Sequence, residues 1–331
     1  MMKKVYKMFL VLLILLAISS LLISGQLMAA EKKTVLKFAH VLQTDHPYHQ
    51  MALKFKEELE SRNANVEVNI FPAKQLGSER DLVEACQLGT VDITTITSAV
   101  TANFVPGFQV FSLPFLFKDP EHLFRTMDSY IGDKLAIDML EAGFVKLGYV
   151  YGGARDLYSR EPIRDLEDLK GKKIRTMQNT ILIDTWNALG AIATPIPWGD
   201  VYLSLSQGVV DGAEGTGMSY RSMKFYDSSP HYTKINYVSS WHCFMMSKKT
   251  WDKLDDGLRL DIMAAAKIAG AFERKLFVDM EKSLFNDLKE NFGVTIYYPD
   301  LDKWTEKIQS VYEKNAEKMG GMELINEIKN L

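Results

Sequence analysis

This chain has little cysteine, no net positive charge and few long apolar segments, and each of these absences excludes a class of protein. Only Cys86 and Cys243 occur among the 331 residues, so a disulfide framework is excluded and free, buried thiols are expected. The formal net charge is −3 at pH 7, which argues against nucleic acid as a partner because phosphate neutralisation needs a basic face. Beyond the first thirty residues no run is apolar and long enough to span a membrane.

Familiar catalytic and metal-binding motifs are missing as well. The sequence contains no G-x-S-x-G and no H-E-x-x-H, and Gly215-x-Gly217 lacks the third glycine of a dinucleotide loop. The spacing of the histidines does not match a zinc site; those considered are His46, His49, His231 and His242. We therefore expect no enzyme activity, no cofactor and no metal. A carboxylate pair for glycoside hydrolysis stays open by count alone, since 42 acidic residues are present.

The first thirty residues have the pattern of an export signal. Lys3, Lys4 and Lys7 precede an almost entirely apolar segment, Met8 to Ile23, and small residues follow up to Ala30. This order predicts a signal peptide cleaved after Ala30 and a mature chain in the periplasm. Because the apolar segment is long, an uncleaved membrane anchor is the alternative.

Strand and helix patterns alternate in two separate regions of the chain. In the first, strands are predicted at 34–41, 66–71 and 91–97, with helices at 47–61 and 78–88 between them. In the second, strands at 172–177 and 193–197 and helices at 180–189 and 198–207 lead into a glycine-rich turn at 211–217. Both regions indicate parallel α/β units.

The connecting and C-terminal segments complete the prediction. A strand is expected at 144–151 and a long apolar one at 237–248. Residues 251–290 are predicted to be mostly helical, with Gly257 and Gly270 marking a start or a bend. The helical period there is carried by Leu260, Met263, Ala264, Lys267, Ile268 and Ala271.

The crevice where the second α/β unit ends should hold a binding site. In parallel sheets ligands lie outside the carboxyl ends of the strands, so Arg175, Trp198 and Glu214 are expected to converge there. An arginine offers a planar fork of donors that matches a carboxylate, and an aromatic ring can stack on a ligand's apolar face. The alternatives that involve no ligand are a surface salt bridge for Arg175 and core packing for Trp198.

Several motifs occur in combination: the LKGKKIR run at 169–175, the run at 195–208 that begins PIPWGDVY, VDGAE at 210–214, KFYD at 224–227, KFAH at 37–40, DHPYHQ at 45–50, and the runs at 71–80 and 111–117. Together they resemble the motifs of the substrate-binding proteins of tripartite ATP-independent periplasmic (TRAP) transporters, the DctP-type family. The resemblance implies an α/β, two-lobed periplasmic binding protein-like fold. Each lobe would be a mixed sheet flanked by helices, with a long helix bracing both lobes.

The resemblance also implies a division into lobes. Residues 1–30 would be the signal peptide, and 31–152 with about 241–280 would form lobe I. Lobe II would comprise 153–240 with about 281–331.

Site residues follow from the same resemblance. Arg155 matches a family arginine that contacts the bound acid together with the one matched by Arg175, although one of the two can instead position a neighbour. Glu214 would orient Arg175 or accept a hydroxyl bond. Many relatives carry asparagine where this chain has Gly215, so Thr216 or a backbone amide would take over that contact.

Two further residues bear on the ligand. The segment from Thr97 to Thr101 lacks the charged residues of relatives that bind sialic acid, which argues against sialate. His40, at the end of the first strand, is a candidate donor to the ligand, and a satisfied core histidine is the alternative.

The resemblance implies capture of a small organic acid, with a sugar acid favoured and a C4-dicarboxylate or 2-oxo acid as alternatives. The closed form would deliver the acid to the small and large membrane permease subunits. The chain is expected to be a monomer. A secreted hydrolase or a sensor that presents its ligand to a receptor are the competing functions.

Overall fold

The computed structural model describes residues 33–319 and 321–331, together with the isolated residues 2 and 6. The predicted signal peptide, residues 1–30, therefore falls almost wholly outside the described part. Within that part, no helix combines the length and the apolar character that a membrane crossing requires.

The first α/β unit forms as its sequence pattern predicts. Its elements, in chain order, are β1 Thr34–Ala39, α1 Pro47–Arg62, β2 Val66–Phe71, α2 Glu79–Leu88, β3 Ile93–Thr97, α3 Ser98–Thr101, a 3-10 turn Pro106–Ser112, α4 Pro120–Met127 and α5 Tyr130–Glu141. The three strands are parallel in the order β2-β1-β3. Ser78 begins α2 with a reciprocal capping box to Asp81, which satisfies two amide groups that the helix leaves free.

The second unit repeats this plan between two long strands. Its elements are β4 Phe144–Ser159, α6 Leu166–Leu169, β5 Lys173–Thr176, α7 Thr180–Ala188, β6 Ile192–Pro195, a 3-10 turn Trp198–Asp200, α8 Val201–Ser206, β7 Gly212–Thr216, α9 Gly217–Ser222, a 3-10 turn Phe225–Asp227 and β8 His231–Ser247. Strands β5, β6 and β7 are parallel, which confirms the predicted α/β architecture.

The C-terminal part is mainly helical. It consists of α10 Lys248–Trp251, α11 Asp256–Phe292, β9 Thr295–Tyr297, α12 Leu301–Lys307, α13 Gln309–Asn315, a 3-10 turn Ala316–Met319 and α14 Gly321–Asn330. The last helices pack back onto the first unit: Tyr312 donates to the carbonyl of Pro114 at 2.7 Å, and His122 lies 2.6 Å from the carbonyl of Ile328.

Across the described residues nine strands form a single sheet in the order β2-β1-β3-β8-β4-β7-β5-β6, with β9 on β8. Strands β4 and β8 are antiparallel and pair along nearly their whole length, so they belong to both halves of the sheet. Their register shifts between Tyr151 and Gly153, and Gly153 has a φ of +84° that favours glycine.

Two predicted breaks are wrong, and both concern glycine pairs or clusters. Strand β4 does not end at Tyr151 but continues through Gly152 and Gly153, so Arg155 lies inside the strand. The segment expected as a turn after Asp211 is strand β7. Glycine is usually unfavourable in strands, but at Gly152 an added Cβ would lie 2.8 Å from the Tyr48 hydroxyl, so a close approach requires it.

The helix predicted within 251–290 is found as α11, but the helical period named for it does not mark its buried side. This helix runs unbroken through Gly257 and Gly270 over 37 residues. Leu260, from the predicted stripe, is 72% exposed. The buried side is instead Leu258, Ile262, Ala265, Ala266, Ala269, Glu273, Phe277, Leu284 and Leu288. Small alanines let α11 approach α1 and β4 closely, which the larger side chains of the other stripe would prevent.

Both cysteines, Cys86 and Cys243, are buried and free. Burial raises the pKa of the Cys243 thiol to about 12. The expected thiol state is therefore the one found.

Candidate ligand-binding site

Side chains from both halves of the sheet enclose a small cavity beside the middle of β4 and β8. Its volume is about 20 Å³, which holds one water molecule and no organic acid. It is lined by Val41, Leu42, Glu79, Thr97, Arg155, Arg175, Met177, Trp198, Thr216, Ser219, Ser240 and His242. A larger molecule can enter only if the two sides of the cavity move apart.

Arg175 is buried at the wall of this cavity, with 1% of its surface exposed. Its Nε donates to the carbonyl of Ile196 at 2.8 Å, and the guanidinium lies 5.5 Å from the ring centre of Trp198. Its Nη1 is 3.6 Å from Oε1 of Glu214 and finds no hydrogen-bond partner among the described residues. A buried guanidinium nitrogen without an acceptor is costly, so this atom suits an incoming anion.

Arg155 has its partner within the protein. Its Nε donates to Oε2 of Glu214 at 2.5 Å, and its Nη2 donates to the Glu214 carbonyl at 3.2 Å. The Tyr237 hydroxyl also donates to Oε2, at 2.6 Å. Asp156, the next residue in the chain, does not pair with Arg155 but accepts from the Tyr232 hydroxyl at 2.9 Å. The Glu214 carboxylate is thus held mainly by Arg155.

The electrostatics of this network follow from burial and pairing. Burial alone would raise the pKa of Glu214, but the charge and hydrogen bond of Arg155, with the charge of Arg175, outweigh it and lower that pKa. Burial lowers the pKa of Arg175, with Glu214 opposing, yet an arginine keeps its charge in proteins. The network of Arg155, Arg175 and Glu214 therefore places two cations and one anion next to the cavity.

The structure brings five of the predicted site residues to one cavity and places three elsewhere. Those at its surface are Arg155, Arg175, Trp198, Thr216 and Thr97. Glu214 lies behind the two arginines, fully buried. At Gly215 an added Cβ would lie 2.9 Å from the Tyr158 hydroxyl and 3.6 Å from the Trp198 ring.

His40 is buried away from the cavity lining. Its Nε2 lies 3.2 Å from Nδ1 of His49. Burial, reinforced by His49, lowers the pKa of His40 to about 3. The ring is therefore neutral at physiological pH.

Sequence reasoning missed several lining residues. They are Val41, Leu42, Glu79, Met177, Ser219, Ser240 and His242. Glu79 belongs to one of the quoted motifs, which was the only signal for it. Ser240 and His242 alternate on β8, and a strand that reaches the cavity presents every second residue to it. Both lie within the strand predicted at 237–248, so this alternation was the signal that could have found them.

A cavity closed between two halves of a sheet and lined by buried arginines and hydroxyls defines a protein that encloses a small polar ligand. The family model of bacterial extracellular solute-binding proteins, family 7, matches residues 38–319. The chain belongs to this family. A relative in Shewanella loihica, a C4-dicarboxylate-binding periplasmic protein, is 30% identical over 87% of each chain.

Solved structures with the same fold carry bound sugar acids. A TRAP periplasmic solute-binding protein from a Sulfitobacter species with bound β-D-galacturonate is 30% identical, with a TM-score of 0.86 over 90% of this chain and 100% of that one. A sugar-acid-binding protein from Advenella mimigardefordensis in complex with galactonate is 29% identical, with a TM-score of 0.87 over 90% and 97%. The chain is therefore a TRAP-type solute-binding protein.

Proposed function

We propose that this protein captures a sugar acid and that Arg175 binds its carboxylate. The observation that carries the proposal is the Nη1 atom of Arg175, which is buried at the cavity wall without a hydrogen-bond acceptor in the described structure. A carboxylate there would complete the fork of donors bidentately. Arg155 would support the clamp from its place beside Glu214, 2.5 Å away.

Hydroxyl groups around the cavity favour a ligand that itself carries hydroxyls. Thr97, Thr216, Ser219 and Ser240 all line it. The Oγ of Ser240 is buried and has no partner within the described residues. Because buried polar groups are normally hydrogen-bonded, the ligand is the natural source of these bonds. Galacturonate and galactonate, bound to the related proteins, each offer one carboxylate and several hydroxyls.

Ligand entry would require the two lobes to separate at a hinge. We place the boundary between 152 and 153 in β4 and between 240 and 241 in β8, with lobe I as 31–152 and about 241–280 and lobe II as 153–240. The last helix, Gly321–Asn330, was expected in lobe II with the rest of 281–331 but instead contacts lobe I through His122. The register shift between Tyr151 and Gly153 lies at this boundary. A few residues at an element's irregularity can absorb the change in φ and ψ that opening needs.

Contacts across the cleft would hold the closed form. Lys74 forms an ion pair with Asp200 at 2.8 Å. Asn103 donates to the carbonyl of Gln178 at 2.9 Å, and Asn179 donates to that of Ala99 at 3.0 Å. Each such bond is worth about 1 kcal/mol or less, so ligand binding can decide between the open and closed forms.

Delivery would be to the small and large permease subunits of a TRAP transporter, after export directed by residues 1–30 and cleavage after Ala30. The protein would act as a monomer and without chemistry: binding sites in this family capture a solute, and the ligand would leave unchanged. Thr216 and the backbone near Gly215 would take the contact that an asparagine makes in relatives.

A thermal-shift screen tests this function. The panel should contain D-galacturonate, D-glucuronate, D-galactonate, C4-dicarboxylates and 2-oxo acids. Stabilisation by one or more sugar acids that grows as RT ln(1 + [L]/Kd) is the expected result. Stabilisation by dicarboxylates or 2-oxo acids alone would mean that the ligand is one of these acids and not a sugar acid. No stabilisation by any carboxylate would contradict the proposal.

A further inference from the structure

Four side chains form a continuous polar chain at one wall of the cavity. It begins at the backbone carbonyl of Tyr151, 3.0 Å from the Tyr48 hydroxyl. That hydroxyl lies 2.6 Å from Nδ1 of His242. Nε2 of His242 lies 3.0 Å from the Thr97 hydroxyl, which in turn is 2.6 Å from Oε1 of Glu79. The chain therefore contains four contacts of hydrogen-bond length.

These four contacts require more protons than the neutral groups supply. A backbone carbonyl and an ionised carboxylate can only accept, so neither end brings a proton. The two hydroxyls and a neutral imidazole bring one each, which makes three. With an ionised Glu79, one contact would leave two lone pairs facing each other in a buried site, which is unfavourable.

A fourth proton completes the chain. If Glu79 is a carboxylic acid, it donates to Thr97, Thr97 donates to Nε2 of His242, Nδ1–H donates to Tyr48, and Tyr48 donates to the carbonyl of Tyr151. Each contact then holds one proton.

The proton is better placed on Glu79 than on His242. A doubly protonated imidazole would also complete the count, but it would leave an ion pair in the buried site. Burial raises the pKa of Glu79, although its contacts with the hydroxyl and the backbone N–H of Thr97 favour the carboxylate and oppose the shift. Burial lowers the pKa of His242 well below its usual value. Both directions favour the neutral pair.

The charged and titratable groups around Glu79 come from four elements. They are Tyr48 on α1, Arg155 on β4, Arg175 on β5, and His242 and Cys243 on β8. The two arginines favour ionisation of Glu79, since their charges lower its pKa, but burial is the larger effect.

The charge of the closed site then determines what it can enclose. With Glu79 neutral, Arg155, Arg175 and the ionised Glu214 leave one net positive charge around the cavity. A ligand with one carboxylate neutralises it. A second carboxylate would be buried without a counter-charge, which is costly.

We propose that Glu79 carries a proton in the folded protein and that the closed site consequently selects a polyhydroxy acid with one carboxylate over a dicarboxylate. This selectivity rests on the proposed function. It also makes binding depend on pH, because loss of the proton removes the net positive charge.

A matched ligand pair tests the selectivity. D-galactonate and galactarate share an open six-carbon chain with the same hydroxyl configuration and differ only at C6, which is a hydroxymethyl group in galactonate and a second carboxylate in galactarate. Calorimetric titration of the full mature chain should give a Kd for galactarate at least roughly a hundredfold above that for D-galactonate. Equal affinity for the two would overturn the proposal.

A pH series on variants tests the role of Glu79. The wild-type affinity for D-galacturonate should fall with rising pH, by up to about tenfold per unit above the point where Glu79 ionises. The Glu79→Gln variant, which cannot ionise, should lose this fall at alkaline pH. Glu84→Gln is the matched control because Glu84 lies on the same helix in an exposed pair with Arg80, and its profile should follow the wild type. Parallel profiles for wild type and Glu79→Gln would overturn the assignment.

Infrared difference spectroscopy tests the proton without any ligand. The spectrum of wild type minus Glu79→Gln at neutral pH should contain the C=O stretch of a protonated carboxyl group. Absence of that band, or an imidazolium signal from His242 in nitrogen NMR, would overturn the protonation of Glu79. If no sugar acid stabilises the protein, the proposed function and the selectivity both fail, whereas the infrared band still decides the state of Glu79.

Discussion

Arg155 and Glu214 form a buried ion pair in which Nε lies 2.5 Å from Oε2. The side chain of Glu214 is fully buried and that of Arg155 is 6% exposed. Because this pair satisfies most of the Glu214 carboxylate, Arg175 remains the guanidinium with an unused donor. The two arginines therefore differ in that Arg155 is paired within the protein and Arg175 retains a donor without an acceptor.

Replacing Glu214 with alanine should destabilise the ligand-free protein strongly. Two buried cations would lose their only ionised partner in the network, which typically costs about 3–5 kcal/mol. Urea unfolding at pH 7 measures the loss. Asp200→Ala is the control, since its pair with Lys74 is half-exposed and should contribute about 0–1 kcal/mol. Equal losses in the two variants would contradict the buried network.

Replacing Ser240 with alanine should weaken sugar-acid binding without destabilising the ligand-free protein. The hydroxyl has no partner in the described structure, so its removal relieves a buried, unsatisfied group. In the complex, loss of the Ser240 hydroxyl should raise the Kd for D-galacturonate by about fivefold to tenfold, which corresponds to the usual contribution of one hydrogen bond. A fall in the melting temperature with unchanged affinity would show that Ser240 serves the fold instead.

Introducing the asparagine of relatives at Gly215 should destabilise this protein. A Cβ there would lie 2.9 Å from the Tyr158 hydroxyl and 3.3 Å from its ring, and overpacking of this kind costs about 1–3 kcal/mol. The double variant Gly215→Asn, Tyr158→Phe should recover part of the loss. Melting temperatures of the three proteins provide the comparison, and a Gly215→Asn protein as stable as the wild type would disprove the crowding.

Acid should destabilise the protein partly through His46. Burial, helped by His40, lowers the pKa of His46 to about 3, whereas an unfolded histidine has a pKa of about 6.5. Below pH 6.5 the unfolded state binds a proton at this histidine and the folded state does not, so the free energy of unfolding falls with falling pH. Between pH 7 and 5 this group should cost about 2 kcal/mol.

The variant His46→Asn isolates that contribution. Asparagine is a good N-cap and can replace the acceptor that His46 provides at the start of α1. Urea unfolding at pH 5, 6 and 7 should show a shallower acid slope than in the wild type. Parallel slopes would exclude His46 as a source of the acid sensitivity.

The parallel α/β units could be predicted from sequence because each strand and helix carries its own local pattern. The strand from Val66 to Phe71 has the predicted bounds, and α2 begins where Ser78 indicates its cap. Local signals fail where tertiary contacts decide. The Gly152–Gly153 pair predicts the end of a strand, but the strand continues because the Tyr48 hydroxyl packs against Gly152 and leaves no room for a larger residue.

The candidate site could be predicted only in part for a similar reason. Arg175 and Trp198 belong to one continuous motif region, and they meet at the cavity as expected. Glu79 and His242 are far apart in the sequence and are linked through Thr97. No period or spacing in the sequence records such a contact, because it arises when β3 pairs with β8.

The most direct test of carboxylate capture is a calorimetric titration of D-galacturonate into wild type, Arg175→Ala and Arg259→Ala. Arg259 pairs with the exposed Asp256 on α11 and serves as the charge-matched control. We predict that Arg175→Ala raises the Kd by more than about tenfold, or roughly 1.4 kcal/mol, while Arg259→Ala binds as the wild type does. Unchanged affinity in Arg175→Ala would contradict the account.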